Sequence, residues 1–148
     1  MGVMEARIRQ LLMRSGSTVN VILESRFPGR RMVGGKYTMG SHTVTLYLDV
    51  IKEQCMQLFG SLDGLEAYTA IVFAHELGHA EDEQLSSLAA QLDAELTEAE
   101  RAAVALRIEE NAWQFAAKLL NESEQALFPE VVYYSLKPYH DVLETISA

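Results

Sequence analysis

The segment IVFAHELGHAED, residues 71–82, constrains the fold more than any other stretch of the chain. Its aliphatic and aromatic residues demand a place in a core, yet His75, Glu76 and His79 are polar and costly to bury without partners. On a helix, His75 and His79 lie four residues apart and stand one above the other on one face. Glu76, three residues before His79, flanks the same face. Gly78 costs roughly 1 kcal/mol relative to Ala inside a helix, which makes sense where another element must pass close. A fold for this chain must therefore surround this helix and still supply partners along one side of it.

Two imidazoles at this spacing can reach one Zn²⁺ at roughly 2.0–2.1 Å, and Glu76 then stands where a general base for hydrolysis is required. A catalytic zinc usually takes three protein ligands, so a third must come from elsewhere. The arrangement HExxHxxGxxH is absent, because Asp82 and Leu85 occupy the positions of its glycine and third histidine. His42 and His140 could contribute, but neither has a spacing that argues for it. Glu109 has Ala105, Leu106, Ala112 and Trp113 as its helical neighbours, so it is a carboxylate on an apolar stripe that needs a cation, a donor or a proton. The expected site is thus zinc on His75, His79 and Glu109, with Glu76 as the catalytic base. The plainer alternative leaves Glu109 partly exposed on an ordinary helical face.

At 148 residues, with 49% of them hydrophobic, the chain can bury one core, and no long Gly/Ser/Pro linker divides it. Residues 1–148 are expected to form a single domain of α+β class, with strands first and helices after. Residues 4–14 read as an amphipathic helix ending at Gly16. VNVILES, MVGGKYTM and HTVTLYLD read as three short strands of an antiparallel sheet, the last two a hairpin around Gly40 and Ser41, and VIKEQCMQLFG turns helical. Asp63 with Glu66 and Thr97 with Glu100 have capping-box spacing, which predicts the starts of the HExxH helix and of a second ligand-bearing helix running to about Asn121. Pro129 and Pro138 are expected to bracket shorter helices in the tail.

The net charge of −9 is uneven, +4 over residues 1–60 and −13 over residues 61–148. That balance argues against direct nucleic-acid binding, which needs clustered Lys and Arg. The one basic cluster, Arg26, Arg30 and Arg31 in SRFPGRR, reads as a Pro-Gly turn with solvated arginines. The first residues alternate Arg and Glu with aliphatics, so neither a signal peptide nor a membrane span is expected. The single Cys55 reads as a small buried hydrophobe, and with no intrachain disulfide available the chain fits a reducing cytoplasm.

AHELGH followed by Glu109, Ala112, Phe115, Ala116, Leu119 and Leu120 in the pattern E-x-x-A-x-x-FA-x-x-LL resembles the ImmA/IrrE family of zinc-dependent peptidases. The resemblance spans roughly residues 42–120. It implies zinc on His75, His79 and Glu109, with Glu76 as base. It also implies an intracellular peptidase of the kind found in phages, mobile elements or stress responses, with a helix-turn-helix repressor as the substrate class. Trp113 departs from the family, which usually has Asn or Asp there to orient a ligand. The chain has no helix-turn-helix of its own. Two other readings compete: a zinc-bearing binding or regulatory module of weak or no activity, and a metal-free helical interaction protein. For hydrolysis, Tyr133, Tyr134 and His140 are candidate oxyanion donors, and HTVTLYLD, if at a sheet edge, could hold substrate as an added strand.

Overall fold

The computed structural model describes residues 2–147. Its elements run α1 (Val3–Ser15), β1 (Asn20–Glu24), β2 (Gly35–Thr38), β3 (Thr43–Tyr47), α2 (Leu48–Phe59), α3 (Leu65–Ala80), α4 (Leu85–Leu92), α5 (Glu98–Ala117) and α6 (Glu122–Ser147). The class is α+β, with a small sheet early in the chain and a mostly helical second half.

The helix bearing the HExxH segment is the centre of the molecule. Residues 68–78 of α3 are buried with the exception of half-buried His75, and α1, α2, α5, α6, β2 and β3 all pack against α3. A helix apolar on nearly every side is stable only when enclosed in this way. Its Ile71, Phe73 and Leu77 join Leu11 of α1, Leu46 of β3, Ile51 and Cys55 of α2, Trp113 and Ala116 of α5 and Val131 of α6 in one core. Cys55 is the buried hydrophobe expected.

The sheet corrects the antiparallel expectation. β2 and β3 form the antiparallel hairpin, Gly35 opposite Leu46 through Thr38 opposite Thr43. β1, however, runs parallel to β3, Asn20 opposite Thr43 through Glu24 opposite Tyr47, so the sheet is mixed with order β1-β3-β2. Residues 25–34, which include the FPGRR turn, carry the chain past the position of β3 before β2 begins. HTVTLYLD is consequently the central strand and not an edge. All five residues of β3 are buried, the threonines included, because strands flank it and α2 and α3 pack against it.

Helix boundaries follow their caps. At Thr97 the capping box forms as the spacing predicts, with Glu100 N donating to Thr97 Oγ1 and Thr97 N donating to Glu100 Oε1. At Asp63 it does not: α3 starts after Gly64 without a side-chain cap, and Asp63 N donates to Ser61 Oγ in the preceding turn. α5 stops at Ala117, short of the expected Asn121. Asn121 instead opens α6, accepting from Glu124 N while its own N–H donates to Glu124 Oε1, a second reciprocal cap. α6 then continues through both Pro129 and Pro138, in place of the shorter helices expected between them. Each proline removes one backbone hydrogen bond. Leu127, Phe128, Val131, Val132 and Leu136 nevertheless pack on the core, and this burial holds the helix in one piece. Among the described residues no helix is long and apolar enough to cross a membrane.

Candidate metal centre

α3 and α5 meet where the sequence requires it. A Cβ built on Gly78 would fall 2.3 Å from the Ala112 carbonyl oxygen and 2.7 Å from its Cα, so only glycine admits this approach. The contact brings Glu109 of α5 over the polar side of α3. His75 Nε2 lies 2.9 Å from Glu109 Oε1, and His79 Nε2 lies 3.3 Å from Glu109 Oε2. Side-chain exposure is 13% for His75, 12% for His79 and 16% for Glu109, low enough to shelter the group yet open on one side.

One ligand atom from each of these three residues falls within 4.8 Å of the others. Two ligands about 2.0–2.1 Å from one ion at tetrahedral angles stand about 3.3 Å apart, so the spacing suits a cation at their centre. Charge points the same way. Burial opposes a charge on His75, but Glu76 and Glu109 outweigh it and raise its pKa well above the usual imidazole range. Burial likewise opposes ionisation of Glu109, yet hydrogen bonds and charge from His75 and His79 hold it well below the usual carboxylate range. Both shifts show that the cluster favours a positive charge between its carboxylates, which a divalent cation could supply.

Glu76 is buried beside the triad and its Oε2 accepts from His75 Nδ1 at 3.0 Å. That bond fixes which nitrogen of His75 faces Glu109. Trp113 packs its ring over His75 with centroids 4.2 Å apart and planes at 31°. Its Nε1 is buried without a hydrogen-bond partner. An indole nitrogen cannot accept a hydrogen bond, so Trp113 meets His75 through its ring alone, and the Nδ1 partner is Glu76.

The remaining sequence candidates lie elsewhere. His42, at φ 49°, is hydrogen-bonded to Tyr37 Oη and Thr18 Oγ1 beside the hairpin turn. Asp82 takes hydrogen bonds from Asn111 and from the Gln84 N–H. His140 and Tyr133 line a separate surface recess on α6.

Two recesses meet at the triad. A cavity of about 790 Å³ is walled by α2, α3, α5, α6 and the segment before β2, and a smaller one of about 410 Å³ lies between β2 and α5. Gly35, His75 and Glu76 border both. Gly35 is needed there, since a Cβ would come within 2.9 Å of Glu76 Cγ. Tyr134 lines the larger cavity as a donor candidate, and so does Tyr139, a residue not among the expected donors. Burial, and next the charge of Glu109, push the Tyr139 hydroxyl pKa up, so it stays protonated and able to donate. Val131, Ser135 and Tyr139 are spaced four residues apart, and that periodicity identifies Tyr139 once α6 is carried through Pro138. No family model, curated protein or solved structure matches the chain.

Proposed function

We propose that the protein is a zinc-dependent peptidase of the ImmA/IrrE type, acting in the cytoplasm on a protein substrate, with a helix-turn-helix repressor as the substrate class. The convergence of His75, His79 and Glu109 from two helices carries this reading. Zn²⁺ held there would supply the Lewis acidity that polarises a scissile carbonyl and acidifies water. Glu76 borders both recesses, and its carboxylate accepts the proton of the attacking water and returns it to the leaving amine. Tyr134 and Tyr139 are the hydroxyls on the same cavity wall that can donate to the developing oxyanion. Substrate lies along β2, the edge strand that borders the site, in place of the central β3.

One observation favours a second reading, a zinc-bearing module of weak or no activity. Glu76, the required base, already accepts a hydrogen bond from His75 at 3.0 Å. The test is zinc content together with cleavage of a fluorogenic peptide library, for the parent and for Glu76→Gln. A peptidase keeps its zinc in Glu76→Gln and loses turnover by about 100-fold or more, as removal of a general base entails. Zinc in the parent without any cleavage would sink the peptidase reading in favour of the module.

A further inference from the structure

The larger cavity beside His75 and Glu76 differs in chemistry from the rest of the acidic second half of the chain. Apart from those two residues, its walls carry no group charged at neutral pH. Burial pushes the Tyr68 hydroxyl up to about 12 and raises that of Tyr139, so both stay neutral. The polar groups beneath the cavity are already occupied. Tyr68 Oη donates to Gln54 Oε1 at 3.1 Å, and Gln54 Nε2 donates to the Met32 carbonyl at 3.0 Å, a chain that ties α3 to α2 and to the segment before β2. The surface that remains is uncharged and mixed: the rings of Trp113, Tyr134 and Tyr139 and aliphatic side chains, with Gln57, Ser135 and the Tyr134 hydroxyl between them.

We infer that this cavity is the specificity pocket of the site and takes a large uncharged side chain, aromatic or aliphatic, from a peptide bound across His75 and Glu76. The inference rests on the peptide-binding part of the function proposed above. A volume of about 790 Å³ is ample for such a side chain and its flanking backbone. A carboxylate or ammonium entering it would lose water and find no counter-charge in the walls away from His75 and Glu76, which already pair with each other. Arg31 is the nearest basic influence, felt at Tyr139, but it is exposed and outside the lining.

Binding separates this claim from the peptidase claim. Acetyl-Ala-Ala-X-Ala-amide peptides with X as Phe, Leu, Asp or Lys are titrated into zinc-loaded Glu76→Gln protein. Fluorescence of Trp113, the chain's single tryptophan, serves as the reporter in the wall itself. Phe and Leu peptides are expected to bind at least about tenfold more tightly than Asp and Lys peptides. Ser135→Arg, and Gln57→Arg at the exposed rim in case the first does not fold, should reverse the order in favour of Asp. The inference is overturned if no peptide binds, if all four bind alike, if Asp is preferred without either substitution, or if a folded Arg variant leaves the order unchanged. Selective binding with no cleavage of the same peptides by the parent would leave the pocket standing and remove the peptidase.

Discussion

His75 joins the two carboxylates of the site, and its protonation gives the metal-free protein a pH signature. Its pKa rises from about 6.5 in an unfolded chain to about 10 in the fold, the carboxylates of Glu76 and Glu109 outweighing burial. A raised pKa contributes stability that is complete below the unfolded value and is lost as pH climbs through the folded one. Glu109 has the opposite sign, and its contribution is lost only in acid. With chelator present, the melting temperature should therefore fall between about pH 6 and pH 10, and His75→Gln should lack that part of the slope. A parent slope identical to that of His75→Gln would contradict the pairing. Bound zinc would reverse the trend, because its ligands must shed protons to bind. The triad was legible in the sequence because His75 and His79 share a helical face and Glu109 sits among alanines that cannot satisfy it. The stacking of Trp113 on His75 was not legible, since it depends on how α5 lies across α3.

The close contact of those two helices depends on Gly78. Gly78→Ala improves helix propensity but drives a methyl group into the Ala112 backbone, which cannot yield without parting α3 from α5. We expect a net loss of about 1–3 kcal/mol in denaturant unfolding, with weaker zinc binding. A variant as stable as the parent would mean that the helices are not held at this distance. Thr97→Ala should cost about 1 kcal/mol by breaking the capping box at the start of α5, and thermal melting measures it. Caps of this local kind are what a sequence can announce, as Thr97 with Glu100 does. Asn121 with Glu124 announces one equally well, but a helix extended too far conceals it. Pairing of β1 with β3 was out of reach, because strand neighbours separated by a loop and a further strand are chosen by global packing. Pro129 and Pro138 mislead for a similar reason: local chemistry favours a break, and burial of Leu127, Phe128 and Val131 overrides it.

An ion pair joins the first and last helices. Arg7 of α1 donates to both carboxylate oxygens of Glu124 on α6, at 2.6 and 2.7 Å, and Glu124 is only 3% exposed. Removing one partner strands a buried charge, so Arg7→Ala should lower unfolding free energy by about 3 kcal/mol, with Arg7→Lys losing less. An effect below about 0.5 kcal/mol would reduce the pair to an ordinary surface contact. The tie holds α6 against α3 and α5, where Val131, Ser135 and Tyr139 form part of the cavity wall beside His75 and Glu76. The whole arrangement serves one polar side of one buried helix, and zinc binding by the triad tests it most directly. Titration of chelator-treated protein with Zn²⁺ should find one ion bound per chain, and Glu109→Ala should lose that binding while Glu76→Gln retains it. A parent that binds no zinc, or a Glu109→Ala variant that binds it as tightly as the parent, would contradict the assignment of His75, His79 and Glu109 as a metal centre.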